Sequence, residues 1–191
     1  VEGVIAVQPR VIEFGIVANK EDGSAALATR GPNIGINWEE RAPTPRLFIS
    51  EGRPPVSITE FAVDIDTAND DDFVVGQKYD LQTPQGLRNL VLTGTFTFAN
   101  PEENASIGSK LIALDTRSAV ELFNSGVGYD DITLTIDSAY AEATIVKNVE
   151  DMLPGGLEVL TRSDLVAEQA DTFNEFINLS LIHISEPTRL L

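Results

Sequence analysis

Cysteine is absent from this chain of 191 residues. That excludes disulfide frameworks, thiolate metal sites and cysteine nucleophiles. Histidine is nearly absent: the only one, His183, stands close to the C-terminus. The residues that precede it hold no His and no Cys, so they can assemble neither a Ser-His-Asp triad, a Cys-His dyad nor a histidine-ligated metal site. Positive charge is scarce as well, 13 Lys and Arg against 30 Asp and Glu, for a net charge of −17. Such a chain repels phosphate backbones and anionic lipid headgroups, so nucleic acid is not an expected partner. No G-x-x-x-x-G-K-[ST] sequence is present, and Gly126-Val-Gly128 is too short for a dinucleotide fingerprint.

The two ends are unusual. Residues Leu179–Arg189 (LSLIHISEPTR) match the translation of a transposase-type sequencing adapter. Residues 179–191 are therefore read as a non-native tail, and His183 carries no functional weight. The chain opens on Val1 rather than Met, and the expectation is that Val1–Asn178 is an internal fragment of a longer protein. Its length suits one domain, or one domain carrying an insertion.

What is present is rich in strand signals. Val4, Ile5, Val7, Val11, Ile12, Ile16 and Val17 make Gly3–Val17 a β-branched segment, interrupted at Pro9-Arg10. Asn19–Gly23 has turn composition, with a returning strand expected at Ala25–Thr29. Prolines and charges between Gly31 and Pro55 suggest loop, relieved by a short strand near Leu47–Ile49. Phe61, Val63 and Ile65 alternate with Ala62, Asp64 and Asp66, the period of a half-buried strand, and a polar turn follows at Asn69–Asp72. Lys78–Gln82 and Leu90–Phe98 flank Thr83-Pro84-Gln85-Gly86 as a hairpin. Strict alternation places Leu90, Leu92, Phe96 and Phe98 on one face, where Gly94 permits a bend or bulge.

Helical signals dominate later. Asp115 caps a short helix carrying Ala119, Leu122 and Phe123, ending at Ser125-Gly126. Ile132, Leu134 and Ile136 alternate as a strand. A helix is expected from about Ala139 to Leu153, with Ile145, Val146, Val149 and Leu153 on one stripe and Pro154-Gly155-Gly156 ending it. A short strand is expected at Leu157–Leu160. Thr161-Arg162-Ser163-Asp164 has the form of a capping box. The helix it opens carries Val166, Ala170, Phe173 and Ile177 at four-three-four spacing, a continuous apolar seam. Spacing alone favours packing on a core; a stalk leading into a membrane helix is the sharper alternative.

Candidate chemistry is thin. Asp64, Asp66, Asp70, Asp71 and Asp72 are the densest acidic group, but a calcium loop starting at Asp64 would need ligands or glycine where Ala68, Asn69 and Val75 stand. A solvated turn is the expectation, with Asp64 and Asp66 on an exposed face. Glu39-Glu40 and Asp130-Asp131 are paired carboxylates of the kind glycosidic chemistry uses, yet neighbours on a strand point to opposite faces. Trp38 is expected to anchor a core or a loop. No catalytic, cofactor-binding or metal-binding residues emerge, and the chain is expected not to be an enzyme.

Several phrases occur in a telling order: Val4–Val11 (VIAVQPRV), Ile49–Pro55 (ISEGRPP) followed by Glu60, Val75–Leu81 (VGQKYDL), Val91–Phe96 (VLTGTF), Ala119–Ile132 (AVELFNSGVGYDDI) and Leu153–Leu165 (LPGGLEVLTRSDL). Together they resemble the extracytoplasmic core domain of MacB/FtsX-type ABC transporter permeases. Thr172–Asn178 (TFNEFIN) is similar to the run such permeases carry before their second membrane helix. The resemblance implies an α+β fold: a porter-like βαβ-type half at 1–45 and 110–178, interrupted by an inserted β-rich subdomain at 46–109. It implies a cytoplasmic ABC ATPase as partner, a homodimer or heterodimer of permeases, and an unassigned cargo or extracytoplasmic partner. It places the fragment on the periplasmic or extracellular side of a bacterial cell membrane and makes the Val166–Ile177 seam a stalk. A free-standing secreted or surface α+β binding module is the alternative reading, and an acidic hydrolase acting through carboxylates a third.

Overall fold

The computed structural model describes residues 1–39, 45–98, 108–124, 126, 128–161 and 163–164. It is an α+β fold divided into two compact units, Ile5–Thr135 and a second made of Val1–Val4 with the chain from Ile136 onward.

In the first unit, the β-branched N-terminal segment becomes three short strands with three different partners. β1 (Val4–Arg10) pairs with β10 (Asp131–Ile136) as a separate two-stranded sheet. β2 (Ile12–Phe14) runs antiparallel to β4 (Asn33–Trp38), and β3 (Val17–Ala18) antiparallel to β7 (Lys78–Thr83). The interruptions fall at Val11 and Ile16, not at Pro9-Arg10, and both side chains are fully buried where the chain changes partner. Asn19–Gly23 is a turn as expected, with Gly23 N–H on the Lys20 carbonyl at 3.0 Å and Gly23 at φ +82°. Ala25–Thr29 forms no strand, only an isolated bridge from Ala25 to Asn19. Nor is Gly31–Pro55 mainly loop, because β4 lies within it, as does β5 (Leu47–Gly52).

Among the described residues the main sheet has eight strands, in the order β2, β4, β9 (Lys110–Asp115), β6 (Glu60–Asp64), β8 (Gly86–Phe98), β7, β3, with β5 added on β8. Its middle strand is β6, antiparallel to β9 and parallel to β8, and β9 in turn runs parallel to β4. Strands buried on both faces read as continuous apolar runs rather than alternating ones. Accordingly, Ile112 and Leu114 of β9 enter one core cluster with Phe61, Val63, Leu92 and Phe123. Leu111 and Ala113 enter the other, with Trp38, Ala62 and Phe96. The segment 46–109 contributes β5 through β8, a contiguous block of this sheet, and its flanks contribute β2, β3, β4 and β9.

The hairpin at Thr83–Gly86 forms, with Thr83 opposite Gly86. Beyond it, β8 departs from strict alternation. Phe61 pairs with Leu92 but Ala62 pairs with Gly94, leaving Thr93 as the extra residue of a bulge. Its hydroxyl donates to the Phe61 carbonyl at 3.2 Å. One extra residue turns every later side chain to the opposite face. Hence Leu90 and Leu92 lie in the first core cluster, Phe96 and Phe98 against the second, and the four do not share a face.

Helix α1 (Ile65–Asp70) follows β6 directly, and α2 (Thr116–Leu122) follows β9. Ala119, Leu122 and Phe123 of the α2 segment pack in the first cluster, as the sequence pattern indicates. Gly35 of β4 is required there: a Cβ would lie 2.7 Å from both Ile16 and the Phe123 ring.

In the second unit, the expected helix is shorter than Ala139–Leu153. α3 spans Glu142–Glu150, with Ile145 and Val149 buried. Gly3, at φ +84°, lies against it, since a Cβ there would come within 2.7 Å of Ile145. Leu157–Leu160 is not a strand, and Leu157 and Leu160 are exposed.

Candidate functional site

The acidic run Asp64–Asp72 is not a solvated turn. Asp64 ends β6 and is only 5 % exposed, because β6 is covered on both faces. Its carboxylate caps α1, accepting from Thr67 N–H at 2.9 Å and from the Thr67 hydroxyl, and it also accepts from Leu111 N–H of β9 at 2.8 Å. Burial pushes its pKa up, against the opposing pull of these donors. At the other end of α1, Asp72 takes a left-handed conformation (φ +56°), and Phe73 N–H closes on the Ala68 carbonyl at 2.9 Å. That is the hydrogen bond of a Schellman ending, with aspartate where glycine is usual. Asp71 accepts from two lysines, Lys110 at the start of β9 and Lys20 at 3.0 Å. The Lys20 ammonium is held above its ordinary pKa by that bond. Only Asp66, Asp70 and Asp72 of the run are exposed. Both ends of α1 are thus tied to the first two residues of β9, and among the described residues no group of three or more His, Cys, Asp or Glu is disposed to hold a metal ion.

The other acidic pair is engaged in holding the fold. Asp130 accepts from Ile12 N–H at 2.7 Å, while Asp131 pairs with Arg10 at 3.5 Å. The two carboxylates serve different partners, so they do not converge on a common substrate position. Of Glu39-Glu40, Glu40 lies outside the described residues. Trp38 ends β4, 8 % exposed and edge-to-face with Phe96 at 6.0 Å, a core anchor.

A cleft of about 370 Å³ is lined by Asp115, Thr116, Arg117, Val120 and Tyr129. Much of its polar lining is already hydrogen-bonded within the protein. Asp115 caps α2 through Ser118, and the Thr116 hydroxyl donates to the Trp38 carbonyl at 3.1 Å while accepting from Asn37. No base, nucleophile and oxyanion donor are brought together there. A second conspicuous surface is aliphatic: Ile5 and Val7 of β1 and Ile132 of β10 are each more than half exposed.

The capping box expected at Thr161–Asp164 forms. Asp164 N–H donates to Thr161 Oγ1 at 3.3 Å, and Asp164 Oδ2 accepts from Thr161 N–H at 2.9 Å. This reciprocal pair is a capping box with Asp in the place of Glu. The Thr161 donors hold the Asp164 carboxyl below its ordinary pKa. The seam residues Val166, Ala170, Phe173 and Ile177, and the tail 179–191, lie outside the described residues.

Lys110 and the buried asparagines of β4 belong to no motif that marks them in the sequence. Asn37 accepts from Val11 N–H at 2.8 Å and donates to the Pro9 carbonyl at 3.0 Å; Asn33 joins Ala26 and Ala28. Their position within an alternating Asn-Ile-Gly-Ile-Asn-Trp run was the available signal.

The fold defines a class, an α+β domain in which Asp64, Asp71, Asn33 and Asn37 are bonded within the protein. The fold is shared with a domain, solved as a crystal structure, ascribed to a permease protein of Porphyromonas gingivalis. The two align at a TM-score of 0.53 and 10% identity, over 87% of this chain and 83% of that one. The chain matches no protein-family model and no curated protein. Among the described residues, no helix is long and apolar enough to cross a membrane.

Proposed function

We propose that this chain is the extracytoplasmic domain of a MacB/FtsX-type ABC transporter permease. It couples ATP-driven motion of membrane helices to the handling of cargo or a partner outside the membrane. The observation that carries this reading is the fold shared, along most of both chains, with a permease-ascribed domain. The ordered phrases from VIAVQPRV to LPGGLEVLTRSDL support it, as does the capping box at Thr161–Asp164, where the stalk is expected to start. On this reading the partner is a cytoplasmic ABC ATPase, the permeases pair as a homodimer or heterodimer, and the domain lies on the periplasmic or extracellular side. It is a moving part rather than an enzyme. A two-state element must then be biased from the cytoplasm, and the stalk packing through Val166, Ala170, Phe173 and Ile177 is that element.

The uncut gene tests this directly. An apolar run of about 20 residues following Asn178, together with a neighbouring or fused ATPase, is the expected result. A stop codon or polar linker at that point would overturn the permease reading in favour of a free-standing surface module. Within the full permease, Phe173→Pro is expected to leave co-purification with the ATPase intact and to abolish complementation of a deletion strain. Unchanged complementation would remove the stalk from the mechanism.

A further inference from the structure

We draw no further inference here: the strongest candidate, the exposed aliphatic surface of Ile5, Val7 and Ile132 on the two-stranded β1–β10 sheet, has nothing in the structure to show what covers it.

Discussion

Two acids four residues apart respond to pH with opposite signs. Glu60 forms a two-pronged ion pair with Arg53, at 2.5 and 2.9 Å, and accepts from Val56 N–H at 3.0 Å. The Arg53 bond lowers its pKa in the fold. The stability it contributes is therefore present above its unfolded pKa and is lost as pH falls through the lower folded value. Asp64 is the reverse case. Its folded pKa is raised by burial, so the folded state holds the proton more tightly, and stability falls as pH rises from the ordinary aspartate value of 3.8 through the raised one. Denaturant titrations across the acid range are expected to show Glu60→Gln flattening the acid-side loss of stability. Asp64→Asn should instead abolish the decline on the rising side; parallel pH profiles for the two variants would contradict the assignment. Asp71 supplies a third residue-scale prediction. Its removal strands Lys110, whose side chain is 9 % exposed and whose remaining acidic neighbour, Asp70, is 4.0 Å away. Breaking a buried pair from one side costs about 3–5 kcal/mol, so Asp71→Ala is expected to lower the unfolding midpoint far more than Lys20→Ala, which leaves the Lys110–Asp71 pair in place.

Among the elements, β8 shows how one unpaired residue reorganises a sheet. The bulge at Thr93 shifts the two halves of the strand to opposite faces, and Gly94 beside it lets the backbone of Glu51 and Arg53 approach closely. A Cβ at Gly94 would sit 2.5 Å from the Arg53 carbonyl oxygen and 2.7 Å from that of Glu51. Backbone cannot give way as a flexible side chain does. Gly94→Ala is therefore expected to cost at least the ~1–3 kcal/mol typical of overpacking, read as a fall in thermal midpoint. An unchanged midpoint would mean that the β5–β8 junction can open without penalty. The capping box at Thr161 invites a comparable test: Thr161→Val removes the hydroxyl that accepts from Asp164 N–H, and a loss of about 1 kcal/mol of helix stability is expected by circular dichroism.

For the whole molecule, the sheet joins what sequence resemblance divides. Strands from 46–109 form one block, β6-β8-β7 with β5, bordered by β9 on one side and β3 on the other, so motion delivered to β9 would reach β4 and β6 through direct hydrogen-bonded ladders. In the permease reading, that continuity makes the Ile5–Thr135 unit a stiff body. Its sheet amides are accordingly expected to exchange with solvent as one cooperative block, measured by hydrogen exchange with mass spectrometry. Independent exchange of β5–β8 from β4 and β9 would instead favour a separately folding insert.

How much of this was legible beforehand depended on whether the information was local. The Asp115 cap, the Thr83–Gly86 hairpin, the Asn19–Gly23 turn and the Thr161–Asp164 box are written in neighbouring residues, and all of them formed. Tertiary structure decided the rest. Alternation at Phe61–Asp66 suggested one solvated face, but β6 lies in the middle of a sheet whose two faces are both covered, so Asp64 is buried and caps a helix. Charge and proline between Gly31 and Pro55 masked β4, whose Ile34 and Ile36 lie between β2 and a β9 brought alongside from 70 residues away or more. The bulge at Thr93 could not be placed by periodicity, since it depends on which strands approach Gly94 from either side. The sequence by itself determined turns, caps and the limits of available chemistry, because these are set by short-range sterics and by which side chains exist. Only the fold decided which acids are buried and which face each apolar side chain serves, because burial and register are properties of the neighbours.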